Sequence, residues 1–258
     1  MRVIQHFCAS RNNGHSLFYS NEVQLEYCFS SSLPARVLTA AHQADQEGAS
    51  EIAAFEFGVD RGDELLCLEK YAAMVERETG VRIAAYGFDT GKGIPLMSGD
   101  YRDHPDQWRV GNYLMDEKLL RKRLSGRTTL LIGNVAQTVL EFVRNIRSHA
   151  GFVALDLDLY LSAMDALRIF LLPRRKMLRR VPMYFDNIDF FFNHKFAGEL
   201  LAIDQFNLTN KQVKIDRWRV IAKRRVFPES PRLSKMFVAH DLAAISKVAL
   251  GRLPTSLI

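Results

Sequence analysis

The sequence predicts one α/β domain built on a doubly wound, mostly parallel sheet with an antiparallel edge. Short apolar runs alternate with helical patterns from residue 51 to residue 185, and this alternation is typical of strands joined by crossover helices. The apolar runs contain few polar residues, as expected for strands that helices cover on both faces. Near the C-terminus, two strand-like runs follow each other without a convincing helix between them, which predicts an antiparallel pair at one edge of the sheet.

The elements are predicted in chain order from their periodicity. A lead-in helix is predicted over 35–46, because apolar residues recur there at helical spacing and Gly48 follows as a stop signal. The strands are predicted at 52–57, 81–88, 129–132, 152–157 and 182–185, the helices between them at 64–77, 116–124, 135–146 and 162–172, and the C-terminal strand pair at 218–227 and 235–240. Residues 1–34 are polar and lack a sustained period. We therefore predict an N-terminal extension with its lead-in helix over 1–50 and an α/β domain over 51–258.

Composition excludes several classes of protein. The chain has 258 residues, of which 48% are hydrophobic and 25% are charged, so it is neither disordered nor collagenous. Its three cysteines, Cys8, Cys28 and Cys67, form no C-x-x-C pair and leave an odd one, which favours free thiols in a reducing compartment. No apolar stretch approaches the length that spans a bilayer, and polar residues interrupt the start of the chain. These features predict a cytoplasmic protein without a membrane partner.

Positive charge is concentrated in one part of the chain. The formal net charge is +6, and the segment from Arg168 to Arg225 contains fourteen Lys or Arg against five Asp or Glu. The ordinary interpretation is a solvated helix end and edge strand. The functional interpretation is an anionic acceptor, such as a phosphorylated or nucleotide-linked sugar, or a nucleic acid. Sequence reasoning disfavours nucleic acid, because the aromatic residues of this segment are typical of a core and a pocket wall.

Polar residues follow the predicted parallel strands at the place where ligands bind in such sheets. Ligands of open α/β sheets bind at the carboxyl ends of the strands. Four predicted strand ends carry carboxylates, namely Glu56, Asp89, Asp156 with Asp158, and Asp186, and a fifth carries Gly133-Asn134. Each residue taken singly is an ordinary turn former or helix cap. Their occurrence at all five ends predicts a functional site.

The turn after the first predicted strand has the features of a nucleotide-binding loop. Gly58 and Gly62 allow a tight turn and a close approach of a ligand to a helix N-terminus. A dinucleotide fingerprint would require glycines at Asp60 and Asp63. With Glu64, these carboxylates would repel a pyrophosphate and suit a ligand that carries an ammonium and a sulfonium group. The loop therefore disfavours NAD, and Asp89 is placed to accept the ribose hydroxyls of an adenosine ligand.

Six ordered motifs resemble those of a known family. They are Glu56-Phe57-Gly58-Val59-Asp60-Arg61-Gly62, Tyr86-Gly87-Phe88-Asp89-Thr90 with Gly93-Ile94-Pro95, Ile132-Gly133-Asn134, Asp156-Leu157-Asp158-Leu159-Tyr160, Phe185-Asp186-Asn187, and Val238-Ala239-His240-Asp241. This set resembles the class I S-adenosylmethionine (SAM)-dependent methyltransferases and is most similar to the macrocin O-methyltransferase group. The resemblance extends from Ile52 to Asp241.

The resemblance implies a seven-stranded Rossmann-like sheet with one antiparallel strand, and an enzyme that methylates a hydroxyl of a sugar or other small natural product. The implied SAM-binding residues are Glu56, Gly58, Gly62, Asp89, Thr90 and Asn134. Of these, the first three would border the methionine part, Asp89 would hold the ribose and Asn134 would lie near the adenine. Asp156, Asp186 and Asn187 stand at the implied Mg²⁺ positions, and Asp158 is the implied general base.

The implied chemistry is consistent with the residue types. A bound Mg²⁺ lowers the pKa of an acceptor hydroxyl, and a nearby carboxylate takes its proton. Hard oxygen ligands suit Mg²⁺, whereas the seven histidines are scattered without an i, i+4 pair and predict no zinc site.

Three departures from the family pattern keep an alternative open. Asp60 stands where the family usually has a third glycine, and Asn187 replaces the second of two consecutive aspartates. The basic loop from Pro173 to Arg180 stands where the family commonly has a Gly-Gly turn. The alternative is a non-catalytic binding or scaffold protein that has the methyltransferase fold and a basic surface. Methylation of nucleic acid is a third and weaker hypothesis. The sequence leaves the acceptor and the oligomeric state open, a homo-oligomer included.

Overall fold

A computed structural model of the protein describes residues 33–171, 176–190, 192–219 and 231–248. The strands are β1 Glu51–Phe57, β2 Arg82–Asp89, β3 Thr128–Ile132, β4 His149–Leu155, β5 Arg180–Phe185, β6 Val213–Arg217 and β7 Met236–Asp241. The helices are α1 Leu33–Glu47, α2 Asp63–Thr79, α3 Glu117–Arg123, α4 Val135–Asn145, α5 Tyr160–Ala166, α6 Gly198–Thr209 and α7 Leu242–Ile245. None of these described helices is both long and apolar enough to span a membrane.

The seven strands form one sheet in the order β3-β2-β1-β4-β5-β7-β6. Strands β1 to β5 pair in parallel, and β7 lies antiparallel to both β5 and β6. Chain order reverses direction between β1 and β4, which places the topological switch point in the middle of the sheet. The predicted fold class is confirmed, including the antiparallel strand near one edge.

Aromatic residues lock the central strands together. Phe57 on β1 is paired in register with Phe88 on β2, and their rings stack with centroids 4.6 Å apart. Phe142 of α4 packs edge-on against Phe88 at 5.4 Å. Phe57 and Phe88 are almost completely buried, and burial of such a side chain stabilises the fold by about 1.5–3 kcal/mol. This packing fixes the register of β1 and β2 and so brings their carboxyl ends to the same height.

Two C-terminal predictions require correction. The predicted strand at 218–227 is displaced, because β6 ends at Arg217; Trp218 and Arg219 lie beyond it, and 220–227 fall outside the described residues. Val213 and Ile215 point into the core while Asp216 is exposed, and five residues of alternation are too short a pattern to predict a strand.

Helix α6 is absent from the sequence prediction because its apolar residues surround the helix instead of forming one stripe.

Two other elements differ in detail. The predicted strand 152–157 is displaced towards the N-terminus, since β4 is His149–Leu155, so that Asp156 follows the strand. The predicted helix 162–172 begins earlier, as α5, and continues as a 3-10 turn over Leu167–Leu171. The shift of β4 moves Asp156 out of regular structure and into the loop at the carboxyl end of the strand.

Helix α1 packs on the sheet as part of the same domain. The Arg36 guanidinium lies 4.1 Å from the ring centroid of Tyr184 on β5, and the Glu47 carboxylate accepts the backbone N–H of Arg179. Residues 1–32 are outside the described part of the chain, so the proposed extension stays a prediction. The basic segment is also only partly covered, because 172–175 and 220–230 are not described.

Candidate functional site

A pocket of about 240 Å³ opens at the carboxyl ends of the parallel strands. Of the site residues predicted from the sequence, seven line it: Gly58, Asp89, Thr90, Asp156, Asp158, Asp186 and Asn187. They come from the carboxyl end of β2 and from the loops that follow β1, β2, β4 and β5. The sheet therefore brings together residues on both sides of the switch point. The most distant of them in sequence, Gly58 and Asn187, are 129 positions apart.

Gly58 permits the closest backbone approach in the pocket. Its φ is +82°, and a Cβ at this position would lie 2.0 Å from the carbonyl oxygen of Asp156. Its N–H donates to the carbonyl of Phe88. The end of β1 is thereby packed between the ends of β2 and β4, and no residue with a side chain fits without displacing the Asp156 backbone.

Asp89 organises the glycine loop from the end of β2. Its Oδ2 accepts the N–H groups of Val59 and Asp60, and its Oδ1 accepts the N–H of Gly91 at 2.7 Å. A carboxylate has about four lone-pair sites, so this carboxylate still has capacity for a ligand. Thr90 donates its hydroxyl to the carbonyl of Gly93 and closes the following turn.

The wall of the pocket formed by the loops after β4 and β5 is strongly acidic. Partial exclusion of water, together with repulsion from Asp186 and Asp158, raises the pKa of Asp156 to about 8. Burial and the charge of Asp186 raise the pKa of Asp158 to about 7. Asp156 remains open to solvent inside the pocket, so these shifts reflect both the enclosing walls and the crowding of like charges. The arrangement would stabilise a bound cation.

Asp186 and Asn187 are held by specific partners. The Tyr184 hydroxyl donates to Asp186 Oδ1 at 2.6 Å, and Lys235 Nζ lies 3.2 Å from the same oxygen. The Asn187 Nδ2 donates to Asp156 Oδ1 at 3.0 Å. The side chains at the two implied Mg²⁺ loops therefore contact each other directly.

The donor chemistry at this edge fits a hard divalent cation. In the described ranges, no three His, Cys, Asp or Glu side chains converge closely enough to hold a metal ion. A cation here would need the amide oxygen of Asn187 beside Asp156 and Asp186, and a half-turn of that amide would present the oxygen. Carboxylate and amide oxygens are the ligands that Mg²⁺ accepts.

Three of the predicted SAM-binding residues do not line the pocket. Glu56 is buried in β1, where burial and repulsion from nearby acids raise its pKa. Gly62 precedes α2 with a φ of +79°, and a Cβ there would meet the Leu120 side chain at 2.2 Å. Asn134 caps α4, accepting the N–H of Ala136 at 2.8 Å. The structure thus gives Gly62 and Asn134 local structural contacts, and their predicted roles at the ligand stay predictions.

Comparison with known proteins places the fold. The sequence matches no protein-family model and no curated protein. Among solved structures, the calicheamicin methyltransferase CalS11 matches with a TM-score of 0.52 and 21% identity, covering 80% of this chain and 82% of that one. The chain therefore has a Rossmann-like methyltransferase fold.

Two further structures with this methyltransferase fold match less closely. An apo structure of CalS11, described as a TDP-rhamnose 3'-O-methyltransferase, gives a TM-score of 0.43 at 21% identity, with 80% and 82% of the two chains covered. An O-methyltransferase from Bacillus cereus in complex with S-adenosylhomocysteine (SAH) gives 0.41 at 13% identity, with 93% and 96% covered.

Within this methyltransferase fold, sequence reasoning missed Tyr113 as a pocket residue. Tyr113 has a φ of +62° and a half-exposed side chain. The partial loss of solvent around its hydroxyl, together with the charges of Asp158 and Asp156, raises its pKa. The chain before it is clamped by two backbone hydrogen bonds between Ile94 and residues 111–112. No sequence signal marked it.

In the sequence, Asp60 is both a departure from the family pattern and one of the carboxylates that disfavour a pyrophosphate. In the structure it lines the pocket and adopts a φ of +45°. Aspartate tolerates this left-handed conformation better than most residues. The loop thus keeps the glycine-like backbone while adding a carboxylate.

A second missed residue lies behind the pocket. Glu199 of α6 is completely buried, and its carboxylate contacts the backbone of both acidic loops. It escaped notice because the helix that carries it was not recognised.

Proposed function

We propose that this protein is a SAM-dependent O-methyltransferase that acts on a hydroxyl group of a small molecule. The observation that carries the proposal is the acidic pocket at the carboxyl ends of the strands. Five carboxylates line it, those of Asp60, Asp89, Asp156, Asp158 and Asp186. SAM carries a sulfonium and an ammonium group, and this lining favours such a ligand over a pyrophosphate-containing one.

One half of the pocket suits the cofactor. Gly58 leaves its backbone open to the cavity, and Asp89 ends β2 with a carboxylate that faces it. Both residues are those that the sequence resemblance assigns to the methionine and ribose parts of SAM. When bound, SAM supplies a methyl group on a positively charged sulfur.

The other half suits an acceptor hydroxyl. Asp158 lines the pocket with a pKa raised to about 7, which is the range in which a general base is most effective near neutral pH. In the proposed reaction, the acceptor oxygen forms the new bond to the methyl carbon while the carbon–sulfur bond breaks. The hydroxyl proton passes to the Asp158 carboxylate.

Mg²⁺ assistance is part of this proposal. Asp156, Asp186 and Asn187 would hold the ion, which would lower the pKa of the acceptor hydroxyl. The mutual repulsion of Asp156 with Asp186 and Asp158 supports this, because a site that crowds negative charge favours binding of a cation. Lys235 already neutralises part of the charge of Asp186.

The proposed acceptor is a hydroxylated sugar or similar natural product. Support comes from the sequence resemblance to the macrocin group and from CalS11, which is described as a TDP-rhamnose methyltransferase. If the acceptor is anionic, we propose that only its sugar enters the acidic pocket and that its charged group lies outside the lining, where the basic segment would supply positive charge. We further propose membership of the macrocin group and a cytoplasmic location. We also propose a homo-oligomeric state, and light scattering would test the oligomeric state.

The decisive experiment is isothermal titration of SAM and of SAH into the purified protein, once with Mg²⁺ and once with a chelator. Micromolar binding is the expected result, and a gain in affinity with Mg²⁺ would support the proposed ion. Absence of binding in both conditions would overturn the proposal and favour the non-catalytic scaffold. An acceptor screen that begins with TDP-rhamnose and detects methylated product by mass spectrometry then tests the reaction.

A matched pair of variants ties the binding to the pocket. Asp89→Asn replaces one carboxylate oxygen with an NH₂ group, which cannot accept the loop N–H groups on that side, and SAH affinity is expected to fall at least tenfold. Asp116→Asn changes an aspartate that also accepts a backbone N–H, that of Leu119, but lies outside the pocket lining. SAH should bind this control with wild-type affinity.

A further inference from the structure

The loops that carry the acidic residues separate soon after their strands end. Strands β4 and β5 pair only from Val153 to Leu155, and the last backbone hydrogen bond between them joins the Asp186 N–H to the Leu155 carbonyl. The Asp156 N–H turns away and bonds to Phe57 of β1. In the described residues, no backbone hydrogen bond joins the β4 loop (156–159) to the β5 loop (186–190) beyond Asp186.

Glu199 connects the two loops after this point. Its Oε1 accepts the backbone N–H of Leu157 at 3.2 Å, and its Oε2 accepts the backbone N–H of Asn187 at 2.9 Å. Leu157 lies between Asp156 and Asp158, and Asn187 follows Asp186. One carboxylate thus holds the backbone of both acidic loops, 42 and 12 residues away in sequence.

The environment of Glu199 is unusual for a carboxylate. Its side chain is 0% exposed, and burial, with the charge of Asp156 next, raises its pKa well above the usual range. The residue lies in the first turn of α6, where the helix dipole favours negative charge. Burial of an acid among other acids is costly unless its hydrogen bonds are satisfied, and here each oxygen has a backbone donor.

We propose that Glu199 is a positioning residue that fixes the spacing between the β4 and β5 loops and thereby orients Asp158 and Asp186 towards the acceptor. This inference rests on the proposed methyltransferase function. Both partners are N–H donors, and their hydrogen bonds favour the ionised carboxylate and so oppose the effect of burial on its pKa. A glutamine at this position would accept one N–H and present its own NH₂ group to the other.

Glu69→Gln is a matched control. Glu69 of α2 also accepts a loop N–H, that of Ser125 at 3.0 Å, together with the Thr128 hydroxyl. Thr128 is the first residue of β3, so this interaction lies at the amino end of a strand, whereas the pocket lies at the carboxyl ends. A loss of stability common to both variants would reflect folding alone.

The test compares amide hydrogen exchange by NMR in the wild type, Glu199→Gln and Glu69→Gln. Glu199→Gln is expected to accelerate exchange at Leu157, Asn187 or both at least tenfold, because a buried donor loses its charged acceptor. Glu69→Gln should leave these two amides unchanged. Wild-type exchange at both amides in Glu199→Gln, or acceleration spread equally through the sheet, would overturn the proposal.

Two further measurements separate the possible failures. If Glu199→Gln does not fold, amide exchange in the wild type tests the proposal instead. The amides of Leu157 and Asn187 are then expected to exchange as slowly as those of β4. Exchange rates typical of exposed loops would refute the hydrogen bonds from both loops to Glu199. SAH titration of the wild type tests the proposed function separately from the bridge. With an acceptor from the product screen, kcat should fall at least tenfold in Glu199→Gln while the KM for SAM stays within threefold, and an unchanged kcat would overturn the positioning role.

Discussion

At the scale of single residues, the raised pKa of Asp158 predicts how the rate of the proposed reaction depends on pH. A base must be unprotonated to accept a proton, and the pKa of about 7 means that the carboxylate form increases as the pH rises through 7. In the wild type assayed without Mg²⁺, kcat/KM is therefore expected to increase between pH 6 and pH 8, because a cation bound beside Asp156 would lower the pKa of Asp158. A flat profile over this range would contradict the assignment of Asp158 as the base.

Asp158→Asn removes the base without changing the size of the side chain. Methyl transfer is expected to fall by about 10²–10⁴-fold, the usual contribution of a general base, and SAH affinity is expected to stay within threefold of the wild type. Product formation followed by mass spectrometry and calorimetric titration of SAH measure the two effects. Full activity in this variant would show that another group takes the proton.

The acidic wall also makes the stability of the protein depend on pH. Because folding raises the pKa of Asp156 to about 8 and of Asp158 to about 7, the folded protein binds more protons than the unfolded chain between about pH 4 and pH 8. These two groups therefore contribute to the stability of the folded state most fully below pH 4. This contribution is lost as the pH rises through 7 and 8. The contact of Asp156 with solvent reduces the size of the effect.

Denaturant melts of the ligand-free protein at pH 5 and pH 8 measure this dependence. The free energy of unfolding of Asp156→Asn, relative to that of the wild type, should be higher at pH 8 than at pH 5. The reason is that the wild type loses the contribution of the acidic wall as the pH rises, and the variant loses less of it. An equal difference between the two proteins at both pH values would contradict the predicted linkage.

At the scale of elements, the glycine turn after β1 shows how strand ends are packed to form a pocket. Gly58 and Gly80 both have positive φ values, +82° and +72°. A Cβ at Gly58 would overlap the Asp156 carbonyl, whereas nothing lies within 4 Å of a Cβ at Gly80. The two glycines therefore share the backbone requirement and differ only in crowding.

Gly80→Ala is expected to cost about 1–2 kcal/mol, the strain of a left-handed alanine. Gly58→Ala adds a steric overlap with backbone at 2.0 Å, so we expect a larger loss of stability and at least a tenfold loss of SAH affinity. Thermal melts and calorimetric titration of both variants make the comparison. Equal losses of stability, with SAH affinity retained in Gly58→Ala, would show that β1 and β4 separate easily at this point.

At the scale of the whole molecule, the proposed cofactor site lies at the centre of the sheet and draws on four strand ends. A ligand that binds only the folded state stabilises it by about 2.7 kcal/mol at one hundred times its Kd. For a chain of this size we expect SAH at that concentration to raise the Tm by about 5–10 °C. The same addition to Asp89→Asn should give a smaller increase, and an absence of any shift in the wild type would count against the proposed cofactor.

Local patterns in the sequence determined the fold class and most of the pocket. Apolar runs and helical periodicity predicted the alternation of strands and helices, because burial on both faces leaves that pattern in each segment separately. Polar residues after strands predicted the position of Asp89, Asp158 and Asp186, because parallel strands bring their carboxyl ends to one edge. The physical cause lies within a few residues of each strand, so one sequence was sufficient.

Only the tertiary structure decided which of these residues face the cavity and what holds them there. Asn134 caps a helix outside the pocket lining, Gly62 avoids Leu120, and Tyr113 enters the pocket from a long loop. Glu199 bonds to Leu157 across 42 residues of chain. Such contacts depend on how loops diverge after their strands and on where a helix without an apolar stripe packs, and neither property leaves a periodic signal in the sequence.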